Sequence, residues 1–272
     1  MKIKSMIMAA LAVVVLTSVV FAGGRNQSKG GLTMREGVFS IGMDIGYPPM
    51  EYFDSDGSTP MGFDVEMGKA IAAKLGLRAE FTNTAWDGIF AGVETNRYDA
   101  IMSSVTITPA RLTAHSFSKP YIANTLAMVV LKGTSVRARS PEECIGLNVA
   151  FQADTTADFY MEELAAKGLR YSPRRYDQVL HCFPELEMGR ADVIITDLLV
   201  AYDYIAPANS PFEIIWRSPD PEVFGICMKN GNSALTEAVN KALEDLFNDG
   251  TMVRISNQVF GMDLVTEARR QW

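Results

Sequence analysis

Short apolar runs alternate along this chain with segments whose apolar residues recur at three- and four-residue spacing, the two periods that strands and helices impose. Residues 38–43 form the first apolar run. Residues 64–75 then carry Val65, Gly68, Ile71, Ala72 and Leu75 on one stripe of a helix, and Gly76 is placed to stop it. Residues 78–82 read as a strand, 87–96 as a helix and 99–105 as the next strand, a βαβ series that builds a parallel sheet. The scheme repeats downstream, with a strand at 147–151, a helix at 156–167 stopped by Gly168, a helix at 177–188 stopped by Gly189 and a strand at 191–196. A loop at 207–211 follows, then strands at 212–216 and 223–228 and helices at 233–247 and 251–260. The first of these helices aligns Leu235, Val239, Ala242 and Leu246 on one face. The pattern predicts an α/β protein of two lobes, each a mostly parallel sheet flanked by helices. In such folds ligands sit at the carboxyl ends of the strands, where helix N-termini also point.

The N-terminus breaks this rhythm. Lys2 and Lys4 precede an apolar stretch over residues 6–20, and small residues follow at Ala22, Gly23 and Gly24, the layout of a signal peptide over 1–22. The apolar stretch is short for a membrane span. Residues 23–35 read as a flexible leader. The chain has 272 residues, 48% of them hydrophobic, enough for a sizeable core. Its formal charge of −7 becomes −9 once residues 1–22, with two lysines and no acid, are removed, so a nucleic-acid partner is not expected. Cys144, Cys182 and Cys227 allow at most one disulfide, for which Cys144 and Cys182 are candidates, and buried thiols fit equally well. No Cys-x-x-Cys pair occurs and the only histidines are His115 and His181, so neither a metal site nor a cofactor is expected.

The most informative chemistry lies at 99–111, where a strand runs into Ser103, Ser104 and Thr106, then Pro109 and Arg111. Proline suits the first turn of a following helix. A guanidinium just past a strand end matches a carboxylate with its planar fork, and Ser104 and Thr106 add donors. An isolated arginine at such a place is ordinarily solvated.

Residues 99–108 resemble a strand of the polar-amino-acid-binding proteins of bacterial ABC importers, family 3 of the extracellular solute-binding proteins, above all the histidine and lysine/arginine/ornithine binders. Further likenesses follow in the family's order: 42–52 (Gly-Met-Asp-Ile-Gly-Tyr-Pro-Pro-Met-Glu-Tyr), 62–66 (Gly-Phe-Asp-Val-Glu), 108–111, 117–121, 152–156, 189–197 and 249–253. They span about residues 36 to 262. The resemblance implies a type II periplasmic-binding-protein fold with a two-strand hinge. Lobe 1 is then discontinuous, 36–125 and 223–272, and lobe 2 covers 126–222. It also implies a monomer in the periplasm that delivers a free amino acid to a membrane-embedded permease. A lipid anchor is not expected, because the first cysteine is Cys144.

A buried amino acid needs a fixed opposite charge for its carboxylate and for its ammonium. The resemblance gives the carboxylate to Arg111, with Ser103, Ser104 and Thr106 beside it and Thr155 and Thr156 at the start of a helix in lobe 2. It gives the ammonium to Asp197, whose other reading is a helix N-cap. Asp44, Tyr47, Trp86 and Gln152 match positions that touch the variable group; two aromatic rings suit a flat or cationic side chain, although core packing also explains them. A basic amino acid is therefore expected, arginine or histidine ahead of lysine, with glutamine as the alternative. Asp154 stands where the family usually has glycine, and an acid there repels a carboxylate unless it points away. Catalysis is not expected. The rival reading is an enzyme on this scaffold, like a cyclohexadienyl dehydratase, for which Glu51 or Asp154 is the nominal acid. A receptor ectodomain is disfavoured, since nothing after Phe260 could span a membrane.

Overall fold

In the computed structural model residues 31–272 are described; the expected signal peptide and the leader up to residue 30 lie outside them. Strand β1 (Val38–Met43) is buried along its whole length, as a central parallel strand covered on both faces must be. After the short hairpin β2 (Tyr52–Phe53) and β3 (Pro60–Met61) comes helix α1 (Phe63–Lys74), which starts where Gly62, at φ 115°, lets the chain pass the carbonyls of Pro49 and Met50. Strand β4 (Arg78–Asn83) pairs in parallel with β1, and α2 (Trp86–Glu94) begins one residue earlier than the apolar spacing predicts. Strand β5 is only Ala100–Ile101. The expected strand 99–105 leaves the ladder at residue 102, and Ser104 takes a left-handed conformation, φ 51°, that no strand continues through.

Helix α3 (Pro109–Ala114) carries its proline at the first position and is capped by the Thr108 hydroxyl, which accepts from Arg111 N. Strands β6 (Ser116–Phe117) and β7 (Ile122–Asn124) lead to β8 (Leu126–Leu131), an interior strand of the second sheet. That sheet adds β9 (Asn148–Gln152), helix α4 (Thr156–Ala166) and the exposed edge strand β10 (Ser172–Tyr176). The helix expected over 177–188 is instead a single 3-10 turn followed by α5 (Cys182–Glu187), which keeps Pro184 in a first turn where its missing N–H costs nothing. Strand β11 (Val193–Asp197), helix α6 (Leu198–Ile205) and strand β12 (Phe212–Arg217) complete this half.

The chain then returns through β13 (Glu222–Phe224), which pairs antiparallel with β7. Strand β14 (Cys227–Met228) inserts into the first sheet, and the expected single strand 223–228 is split at Gly225, where a Cβ would meet Ile107 at 2.7 Å. Helices α7 (Ser233–Asn248), α8 (Thr251–Phe260) and the unforeseen α9 (Val265–Arg269) close the chain. The result is two five-stranded sheets, β4-β1-β5-β14-β6 and β10-β9-β11-β8-β12, joined through the β7–β13 pair, each flanked by helices around its own core. This is the two-lobed α/β architecture the sequence predicts.

Asp99 is structural. It accepts from Ser40 N and Oγ at 2.8 and 2.7 Å and from Met34 N at 2.7 Å, so the end of the expected leader is tied to the first sheet. Cys144, Cys182 and Cys227 are buried unpaired thiols in three different cores. Among the described residues no helix is long and apolar enough to cross a membrane.

Candidate ligand-binding site

All eleven residues singled out in the sequence line one small cavity between the sheets. A twelfth, Glu51, joins them. Asp44, at the end of β1, together with Tyr47, Trp86 and residues 103–106 come from the first lobe, and Gln152, Thr155, Thr156 and Asp197 from strand and helix ends of the second. The lobes meet around it. Tyr47 Oη donates to Asp197 Oδ2 at 2.6 Å, Gln152 and Gln178 Nε2 donate to the two oxygens of Asp44 at 2.9 and 2.8 Å, and Trp86 Nε1 donates to the Asp154 carbonyl at 3.0 Å. The structure is a closed form.

Arg111 has no acidic partner within 4 Å among the described residues. Its Nη1 donates to the Thr106 carbonyl at 3.0 Å, and its guanidinium lies 5.4 Å from the ring centre of Trp86 and 5.2 Å from that of Phe90. Burial lowers its pKa, so it is a desolvated cation held in place by aromatic faces rather than by an anion. Asp197 is its counterpart of opposite sign. It occupies the N-cap position of α6, yet its side chain makes no cap bond; it turns instead to Tyr47 and to Asn124 Nδ2 at 2.7 Å. Burial, with the nearby Glu222 carboxylate, pushes its pKa up to about 7.

The remaining residues divide by whether their polar atoms are already used. Ser103 Oγ donates to Glu51 Oε1 at 2.6 Å and accepts from Asp44 N at 3.0 Å, so it braces two acids. Thr155 Oγ1 donates to the Gln152 carbonyl at 2.8 Å. Thr156 opens α4, as expected, with that helix's first N–H groups turned to the cavity end. By contrast Ser104 Oγ and Gln152 Oε1 are buried without a partner among the described residues, and both belong to the cavity wall. Buried polar atoms are normally satisfied, so such a concentration marks where a polar molecule completes the structure. Asp154 takes φ 59°, a conformation asparagine and aspartate tolerate, and its exposed side chain is not part of the wall. The expected sandwich of Tyr47 and Trp86 is modified, because Tyr47 is bonded to Asp197 and Trp86 packs on Arg111. Sequence reasoning missed Phe90, Gln178 and Glu222. Phe90 carried a usable signal, standing four residues after Trp86 on one helix face.

Residues 39–262 match the bacterial extracellular solute-binding proteins, family 3. The chain belongs to this family. Within it, the L-cystine-binding protein TcyJ of Escherichia coli (strain K12) is 29% identical over 228 residues, covering 84% of each chain. An ancestral arginine-binding protein bound to arginine superposes with a TM-score of 0.79 at 34% identity, covering 84% of this chain and all of the other, and the structure of an ancestral arginine-binding protein bound to glutamine gives 0.77, again at 34% identity. An ancestral amino-acid-binding protein described as a precursor of cyclohexadienyl dehydratase gives 0.77 at 31% identity, covering 84% and 97% of the two chains.

Proposed function

We propose that this family 3 solute-binding protein captures one free polar amino acid between its lobes, prefers a basic one, and presents it to a membrane-embedded ABC permease. One observation carries the reading: an unpaired buried guanidinium, Arg111, and a buried carboxylate without a cation, Asp197, face the same small cavity. A zwitterion supplies both missing charges. Arg111, with Ser104 and the α4 N-terminus, takes the carboxylate, and Asp197 takes the ammonium. Asp44 and Glu51 then exceed any fixed cation around the side-chain end, which favours arginine or histidine. Glutamine is the second reading, supported by the Gln152 and Gln178 amides that already satisfy both Asp44 oxygens.

The lobes in this proposal are 36–125 with 223–272, and 126–222, moving about the β7–β13 pair as a hinge. The protein acts as an exported monomer without a cofactor and without catalysis of its own. A thermal-shift screen of the common amino acids and ornithine tests the reading, because a ligand specific for the closed state raises the melting temperature by mass action. Shifts with arginine or histidine are expected; a shift with glutamine alone selects the second reading, and none with any amino acid refutes both. Following the bound amino acid by NMR tests the enzymatic alternative, which conversion beyond stoichiometry would establish.

A further inference from the structure

Below the cavity, Glu51 and Asp64 meet side chain to side chain. Glu51 is 1% exposed and Asp64 fully buried. Each spends one oxygen on a donor: Glu51 Oε1 accepts from Ser103 Oγ at 2.6 Å, while Asp64 Oδ2 accepts from Ser104 N at 2.8 Å and Tyr121 Oη at 2.9 Å. The other oxygens, Glu51 Oε2 and Asp64 Oδ1, are buried without a donor among the described residues. Two bare carboxylates in contact repel, and neither can satisfy the other. One shared proton removes both faults, turning the two orphan oxygens into a donor and an acceptor. The charged and titratable groups that act on the pair are Asp44, Tyr47 and Tyr121, none of them a cation. Arg111, the cation of the cavity, answers instead to Asp197, Glu222, Tyr47 and Cys227.

We propose that Glu51 and Asp64 are a proton-holding pair that adjusts the charge of the cavity floor to its ligand: the pair keeps its proton beneath a neutral side chain and releases it to solvent when a cationic side chain is seated on Glu51. The cationic ligand keeps its own protons and the one lost comes from the carboxyl pair, so the seated cation meets a full carboxylate while Asp64 stays bonded to Ser104 and Tyr121. Glu51 is the member that does this, since it alone of the two belongs to the cavity wall. Asp44 is less suited, because both its oxygens already accept amide donors.

This inference rests on the amino-acid reading above, and calorimetry separates the two. Arginine and glutamine are titrated into the full chain near neutral pH in two buffers of different ionisation enthalpy, which gives the number of protons exchanged per ligand bound. Arginine is expected to release about one proton more than glutamine does, because whatever Asp197 gives up on meeting the ligand ammonium is common to both. In Glu51→Gln that excess disappears and arginine affinity falls about 30-fold or more. Asp64→Asn, which leaves Glu51 in place, also abolishes the excess and serves if the first variant fails to fold. Equal release with the two ligands, or an excess with arginine that survives both substitutions, overturns the proposal. Absence of binding to either amino acid overturns the amino-acid reading and this inference with it.

Discussion

Among the described residues, two aromatic rings and one carbonyl surround the Arg111 guanidinium, with no carboxylate within 4 Å. Arg111→Ala is therefore expected to lose about 2–5 kcal/mol of ligand affinity, the scale for deleting one partner of a buried charge pair, and isothermal titration measures it. Arg111→Lys is expected to fail almost as badly, because an ammonium neither forks onto a carboxylate nor stacks between Trp86 and Phe90. Asp197→Asn should weaken binding on a similar scale while leaving α6 intact, since the side chain caps nothing. Binding within threefold of the parent in Arg111→Ala would remove the carboxylate seat from this position. At this scale the sequence was most readable where one residue type has one chemistry: Arg111, Asp197 and the hydroxyls of 103–106 all reach the cavity. Glu51 was readable only as a nominal acid. Its meaning comes from Asp64, thirteen positions on, and from Ser103, contacts that only the fold creates.

Helix α1 depends on one glycine. A Cβ at Gly62 would lie 2.2 Å from the Met50 carbonyl oxygen, and φ there is 115°, so Gly62→Ala forces the backbone apart directly beneath Glu51 and Asp64. A loss of about 1–3 kcal/mol or more is expected, read as a lower melting temperature. Gly88 in α2 is the contrast: nothing lies within 4 Å of its Cβ site, and Gly88→Ala should stabilise by up to about 1 kcal/mol through helix propensity. Periodicity located α1, α4, α7 and α8 because each buries one face, and β1 as a run buried on both. It failed for β10, whose Ser-Pro-Arg-Arg-Tyr sequence is mostly exposed and carries no apolar signal. Strand β8 is interior, pairing with both β11 and β12, although the strands read from the periodicity do not include it. The truncation of β5 is invisible in composition, since it follows from the Ser104 conformation and the Asp64 bond that holds it.

For the molecule as a whole, burial shapes the response to pH. Asp197 and Asp64 both titrate at about 7 in the folded chain, against an ordinary 3.8, and Asp44 and Glu51 are shifted in the same direction. Between those values the folded state holds protons that the unfolded chain has released, so stability falls as pH rises from about 4 to about 7. Glu185 and Asp249, lowered to about 2 by Arg190 and Lys74, act the other way only in acid. The ligand-free protein should accordingly melt higher near pH 5 than near pH 8, and saturating arginine should flatten that slope by supplying cations to the raised carboxyls. A melting temperature that rises steadily with pH in the ligand-free protein would contradict this distribution of buried charge.

The position of β14 between β5 and β6 has a consequence for the order in which the chain becomes ordered during synthesis. Every strand of the second sheet lies within residues 126–217, so that half possesses all of its parts while some fifty residues are still to come. The first sheet waits for Cys227–Met228 to fill its gap and for α7 and α8 to cover its core. Domains tend to fold as units as their sequence emerges. In a pulse-chase experiment the fragment around 126–217 should acquire protease resistance first, with the N-terminal strands protected only after the C-terminal helices have been made. A nascent chain thus cannot seize its cargo early, because the wall that carries Arg111 is the last to be finished.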